Sequence, residues 1–312
     1  MMGAHARIGI DLGGTKISGI ALGPDSKVLA QARVDAPKGN YSETIDSVCG
    51  LVMSLEERAS VEASVGIGIP GSVSPATGNI QNANSTWLNT QPFKQDLETS
   101  LKRQVRMAND ANCFALSEAM DGAGQGAASV FGVILGTGCG GGLVVNGRII
   151  DGPRGIGGEW GHNPLPWPEA NETPGPQCWC GKKGCMETWV SGPAMAADHK
   201  RVFSETLSAH DIARNAGEGC AKANKTLESH ASRLARGLAC VINIFDPERV
   251  VLGGGLSNMS HLYEQLPGLI APYIFSDNTA IDILSPVHGA ESGVRGAAWL
   301  WDIAESENSE WK

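Results

Sequence analysis

The sequence predicts an α/β protein built as two similar halves, and three observations carry that prediction. A short apolar run, a glycine-rich turn and a second apolar run occupy residues 6–10, 11–16 and 17–22, and the same order returns at 129–135, 136–142 and 143–150. Amphipathic helical stretches alternate with further short apolar runs, the pattern of sheets covered by helices. The 312 residues also exceed what one hydrophobic core comfortably serves.

Taken in order, the first hairpin reads as a strand, the turn DLGGTK and a returning strand. A helix follows, because Ile45, Val48, Cys49, Val52 and Leu55 recur at helical spacing behind Ser42, a candidate cap. Residues 63–69 and 104–108 read as strands, and Asn109-Asp110-Ala111-Asn112 opens a helical run through Ala119. The first domain is therefore expected over 1–121, with the Gly/Ala-rich stretch 121–128 as a hinge. The second, over 122–289, opens on the repeated hairpin, whose turn is GTGCGGG. Within it, Leu234, Leu238, Val241, Ile242 and Phe245 mark a helix, and residues 249–252 a strand. The polar tail at 305–312 is expected to fray.

A formal charge of -9 without a Lys/Arg run opposes nucleic acid as a partner, since phosphate backbones call for a basic surface. The N-terminal apolar run is too short to span a bilayer and has no signal-peptide cleavage pattern, so a cytoplasmic protein without membrane contact is expected. Eight cysteines suit a reducing compartment. Cys49, Cys113, Cys139, Cys220 and Cys240 lie scattered in apolar contexts and read as reduced, non-catalytic thiols.

The other three form a knuckle. His162, Cys178, Cys180 and Cys185 offer one imidazole and three thiolates, the donor set of a structural tetrahedral zinc site, with Glu159 and Glu187 at its two ends. Gly181 and Gly184 supply the tight backbone that such spacing needs. Four protein ligands leave no open position for a metal-bound water, so this metal is expected to be structural. The ligands also tie down a Pro-rich stretch, 163–177, that otherwise reads as a long loop.

Three further motifs admit chemical and structural readings side by side. Asp110, after a strand end and at a helix start, is either a base kept ionised by the helix dipole or part of an N-cap. Asp11, Gly13, Gly14, Thr15 and Lys16 suit a phosphate or metal-phosphate turn, as do Gly136, Thr137 and Gly138, although hairpin turns are glycine-rich in any case. The spacing is not that of a Walker A loop, and the returning strand rules out a Rossmann crossover. Gly253, Gly254 and Gly255 leave backbone bare for a flat ring or make a sharp turn. Trp87 and Trp160 stack on a pyranose or simply pack. His199, His210, His261 and His288 read as surface or structural.

In order along the chain, DLGGTK, GIPG, NDAN, GTGCGGG, GEWGH, CWCGKKGCMET and LGGG resemble the ROK family of sugar kinases, within the actin/hexokinase/Hsp70 superfamily. The segments NANSTWLN, HNPLPW and GVRGAAWLW look most similar to bacterial fructokinases that also accept mannose. The resemblance implies two RNase H-like domains around a cleft, with a C-terminal helix in 290–312 returning to the first domain. It implies ATP and Mg2+ at the turns 11–16 and 136–142, adenosine near Gly253, Gly254 and Gly255, and sugar held by Asn84, Asn109, Asp110, Glu159, His162 and Glu187, with Asp110 as base. It further implies a homodimer. The expected activity is ATP-dependent phosphorylation of a free hexose at the 6-hydroxyl, fructose first. The alternatives are a glucokinase, an N-acetylglucosamine kinase, or a non-catalytic sugar-responsive regulator; against the last, strand-like residues begin by Arg7, which leaves no room for a helix-turn-helix. The Pro-rich run between His162 and Cys178 is longer than the family pattern and leaves the path of that loop open.

Overall fold

The computed structural model describes residues 6–301, so the tail from 305 onward lies outside it. The first half runs β1 (Ala6–Leu12), β2 (Lys16–Leu22), β3 (Val28–Asp35), α1 (Tyr41–Ala59), β4 (Ala63–Ile69), the two-residue strands β5 (Ser72–Val73) and β6 (Ile80–Gln81), α2 (Phe93–Leu101), β7 (Val105–Asn109) and α3 (Asp110–Asp121). The second runs β8 (Ser129–Leu135), β9 (Cys139–Val145), β10 (Arg148–Ile149), α4 (Glu187–Val190), α5 (Gly192–Phe203), α6 (Ala209–Gly217), α7 (Ala221–Phe245), β11 (Arg249–Gly253), α8 (Ser260–Ile270), β12 (Asp282–Leu284) and α9 (Ser292–Trp299).

The repeated hairpin becomes a repeated sheet. One sheet has the order β3-β2-β1-β4-β7 and the other β10-β9-β8-β11-β12; in each, two antiparallel pairings are followed by two parallel ones. The parallel pairings follow from chain length, because helices intervene there and a two-residue turn cannot bring a strand back in the same direction. Helix α1 buries Val48, Leu51, Val52 and Leu55 against the first sheet. Its cap is Asn40, which accepts from the Glu43 amide at 3.2 Å; Ser42, the expected cap, already lies inside the helix. In the second hairpin only Gly136, Thr137 and Gly138 form the turn. Cys139 to Gly142, expected as turn, begin β9, because their lack of side-chain bulk admits a helix rather than a bend.

That helix is α3. Gly132 and Gly142 are register partners, and a Cβ on either would stand 2.6–2.7 Å from the Cβ of Ala115. The first sheet does the same with α9: Gly9 and Gly66 are also register partners, and a Cβ on either would strike the backbone of α9 at Val294 or Ala297. Thus α3, which follows the first sheet in sequence, lies on the second, and α9, which follows the second, lies on the first.

Polar anchors lock this exchange. The buried Glu118 carboxylate accepts from the amides of Ala123 (2.9 Å), Val287 (3.0 Å) and His288 (3.4 Å) and from the Ser292 hydroxyl (2.7 Å). Asp121 pairs with Arg295 and His288, while Arg295 also donates to the Ser26 carbonyl between β2 and β3.

The Pro-rich run packs on α7. Glu172, only 3% exposed, receives Arg233 Nε at 2.7 Å and both Arg236 terminal nitrogens at 2.8 Å, and Trp167 tilts against Tyr273 at 4.9 Å. These pairs neutralise two arginines buried on one helix, which unpaired would cost several kcal/mol each. Trp160 is 5% exposed, donates to the Gly140 carbonyl and sets its ring edge-on to Phe131, so it packs and cannot stack on a ligand. Trp87 packs against the first core. His199 is buried with Nδ1 2.7 Å from the Thr226 hydroxyl. All eight cysteines are free thiols, and no described helix is long and apolar enough to cross a membrane.

Candidate functional site

A row of carboxylates joins the two halves. Asp11 sits near the end of β1, beside Gly293 at the start of α9. Asp110 is the first residue of α3, and Glu159 precedes the short helical turn Trp160–His162. Burial raises Asp11 to about 6, the charge of Asp110 adds to the rise, and Arg33 opposes it. Burial also raises Asp110, reinforced by the charge of Glu159 and opposed by the Ala111 amide and Asn109. Glu159 is raised by burial, pulled back by His162 and pushed up again by Glu187. Asp11, Asp110, Glu159 and Glu187 therefore lie close enough to feel one another in sequence, from the first sheet to the knuckle.

The capping question at α3 resolves in favour of Asn109. Its Oδ1 accepts from the Ala111 amide at 2.9 Å, while its Nδ2 donates to the Gly71 carbonyl at 3.1 Å. Asp110 shares that same amide through one oxygen at 2.8 Å and opens to solvent on one side, while surrounding protein encloses its carboxyl on the others. Burial raises the Asp110 pKa at this helix start, against the pull of the Ala111 amide toward the charged form.

Glu187, first residue of α4, is gripped from two sides. One oxygen accepts from the Cys139 amide at 3.0 Å, just after the Gly136–Thr137–Gly138 turn, and the other from the Trp179 indole at 2.7 Å. A Cβ on Gly138 would stand 2.7 Å from the Glu187 oxygen that the Cys139 amide holds, so a larger residue there would push that carboxylate aside. Trp179 also sets its ring edge-on to His162 at 4.8 Å and 87°. Neither Trp179 nor the Cys139 amide was visible as a site group in the sequence; the place of Trp179 between two cysteines was the one available signal.

The knuckle brings all four expected ligands together. His162, Cys178, Cys180 and Cys185 present donor atoms within 4.8 Å of one another, with 3.6 Å between His162 Nδ1 and Cys178 Sγ and between the sulfurs of Cys180 and Cys185. Tetrahedral zinc with Zn–S bonds of ~2.3 Å puts its sulfurs roughly 3.8 Å apart, so the donor set and its size fit. Gly181 and Gly184 adopt the positive φ values of 87° and 71° that the knuckle turns require.

The other predicted residues divide. Gly14, Thr15, Lys16 and Thr137 are exposed at their turns, and the Gly13 amide closes the first by donating a hydrogen bond to the Lys16 carbonyl at 3.0 Å. Asn84 is exposed on a loop held by Asn89, whose side chain bonds both the amide and the carbonyl of Ala83 at 2.9 Å; Asn89 is a second residue that the sequence reading passed over. Of the three late glycines, Gly253 packs on Phe114 and Gly254 has φ +77 with the Leu135 carbonyl in its Cβ position, so only Gly255 faces open space. This arrangement offers bare amides, a cluster of carboxylates and a pinned imidazole across a junction of two sheets.

The sequence profile of the ROK family matches residues 7–304. The chain belongs to the ROK family, and its two-sheet α/β fold is the actin/hexokinase/Hsp70 type of that family's hexokinases. It is 40% identical over 299 residues to the N-acetyl-D-glucosamine kinase of Vibrio cholerae serotype O1, covering 94% of this chain and 98% of that one. The N-acetyl-D-glucosamine kinase of Pasteurella multocida is 38% identical over 300 residues, 95% and 99% of the two chains. Among solved structures, the ROK hexokinase of Thermus thermophilus superposes with a TM-score of 0.86 at 31% identity, over 97% of this chain and 100% of that one. A ROK glucokinase from Streptomyces griseus in complex with glucose and AMPPNP gives 0.76 at 26% identity, over 95% and 98%.

Proposed function

We propose that this chain transfers the γ-phosphoryl group of ATP to the 6-hydroxyl of N-acetyl-D-glucosamine. The carrying observation is the full-length similarity to kinases of that sugar, at 38–40% identity. It favours the N-acetylglucosamine alternative over fructose, which gains no support from these relatives.

In this reading Asn84, Asn109, Glu159, His162 and Glu187 hold the sugar, and Asp110 accepts the 6-hydroxyl proton as the new O–P bond forms and the bond to ADP breaks. A base with a raised pKa is the stronger base, so the burial of Asp110 favours that transfer. Backbone amides at Gly14 to Lys16 and at Thr137 and Gly138 would face the phosphates, with Gly13 and Gly136 closing the two turns through their own amides and adenosine toward Gly255. Asp11 would hold Mg2+, which supplies charge neutralisation at the phosphates when bound. His162, Cys178, Cys180 and Cys185 would hold a structural zinc, whose contribution is to fix the knuckle and so the positions of His162 and Glu187. Movement of the two halves about the α3–α9 crossing would exclude water from the reacting groups.

Initial rates with N-acetylglucosamine, glucose, mannose and fructose, each at saturating ATP, test the reading. The expected result is a kcat/KM for N-acetylglucosamine at least tenfold above the others. A preference for fructose would overturn it.

A further inference from the structure

We infer that Trp179 is a positioning residue for the acceptor sugar, acting by holding the Glu187 carboxylate; this rests on the reading of Glu187 as a sugar ligand. Trp179 is 71% exposed, so core packing does not explain a tryptophan there. Its two polar and aromatic contacts both go to proposed sugar ligands: the indole N–H donates to Glu187 Oε1 at 2.7 Å, and the ring meets His162 edge-on at 4.8 Å.

The geometry makes the indole one jaw of a clamp. The Cys139 amide holds Glu187 Oε2 at 3.0 Å from the opposite side, on β9. A carboxylate with one donor swings about its side-chain torsions, whereas donors on both oxygens select one rotamer. The two jaws belong to different parts of the fold. Cys139 is part of the second hairpin, next to the proposed phosphate turn, and Trp179 is part of the knuckle, between Cys178 and Cys180. The chain itself carries the knuckle to Glu187, two residues after Cys185, but Trp179 is the knuckle side chain that bonds the carboxylate, since none of the four knuckle ligands is hydrogen-bonded to it among the described residues.

The phenylalanine substitution separates the N–H from the ring. Trp179→Phe removes the donor to Glu187 and keeps an aromatic edge toward His162, while Trp179→Gln restores a donor without the ring. For Trp179→Phe we expect the sugar KM, and the sugar Kd by calorimetry, to rise about five- to tenfold, as for loss of one partly exposed hydrogen bond to a charged group. The ATP KM should stay within about twofold and metal content should match wild type. Trp179→Gln should recover part of the sugar affinity. Unchanged sugar KM and Kd in Trp179→Phe would overturn the inference while leaving the kinase reading intact. Equal losses for sugar and ATP, or loss of metal from Trp179→Phe, would assign Trp179 a structural role and also overturn it. Failure of the wild-type protein to phosphorylate any sugar would overturn both.

Discussion

Gly296 of α9 and Cys113 of α3 meet backbone to backbone, with the Cys113 carbonyl lying where a Cβ on Gly296 would be. Polar ties flank this crossing: Glu118 and Asp121 toward the end of α3 bind the approach to α9, and Arg295 beside Gly296 pairs with Asp121. A larger residue at 296 must separate the helices or bend one. Gly296→Ala should lower stability by about 1–3 kcal/mol, read as a lower midpoint in urea, and Gly296→Val by more. A stability equal to wild type for Gly296→Val would show that the crossing is not tightly set.

Glu172 gives the second half an acid-sensitive anchor. Hydrogen bonds from Arg236, the Glu169 amide and Arg233 bring its pKa from 4.5 down to about 2 against the opposing effect of burial. A depressed folded pKa means that the stability is fully present above about pH 4.5 and is lost as pH falls toward 2. Acid unfolding should therefore steepen in that window. Glu172→Gln should flatten the pH dependence there and cost stability at pH 7, because Arg233 and Arg236 stay buried with a weaker partner. The same acid slope in Glu172→Gln would place the acid sensitivity elsewhere.

Asp11 behaves in the opposite sense. Its folded pKa of about 6 lies above the ordinary 3.8, so its contribution to stability rises as pH falls through 6 and is smallest when it is ionised. Because Asp110 contributes to that rise, Asp110→Asn should lower the Asp11 pKa, measurable by carbon NMR of the carboxylates, although burial keeps it above 3.8. The same variant should lose more than about tenfold in sugar-dependent turnover if Asp110 is the base. An Asp11 pKa unmoved by Asp110→Asn would mean that the two carboxylates are not electrostatically coupled.

Much of this arrangement is legible in the sequence. The two glycine-rich turns announced the repeated hairpins because bare backbone at such turns has few other uses, and the knuckle was legible because four soft ligands in one short segment serve no core. The exchange of α3 and α9 was not. It depends on glycine pairs such as Gly9 with Gly66 and Gly132 with Gly142, which are register partners only once the strands are paired. Edge strands β3 and β12 escaped notice since one is largely exposed and the other has three residues, so neither carries an apolar run. The role of Glu172 is not legible in sequence, because its arginines lie more than sixty positions away. The burial that raises the Asp110 pKa is invisible in a strand end and a helix start, because Glu159 comes near only through the fold.

The knuckle is predicted to matter for the sugar more than for the nucleotide. Cys180→Ser removes one of four donors and should release the metal, checked by elemental analysis, and raise the sugar KM by a larger factor than the ATP KM. An unchanged sugar KM in metal-free protein would detach the knuckle from sugar binding.

Which hydroxyl of which sugar is phosphorylated decides the function most directly. Wild-type protein given ATP and an equimolar mixture of N-acetylglucosamine, glucose, mannose and fructose, with products resolved by phosphorus and proton NMR, measures both at once. The predicted result is N-acetylglucosamine 6-phosphate as the main product, with its formation abolished in Asp110→Asn. Fructose phosphate as the main product, or an Asp110→Asn variant that still phosphorylates the sugar at near wild-type rate, would contradict it.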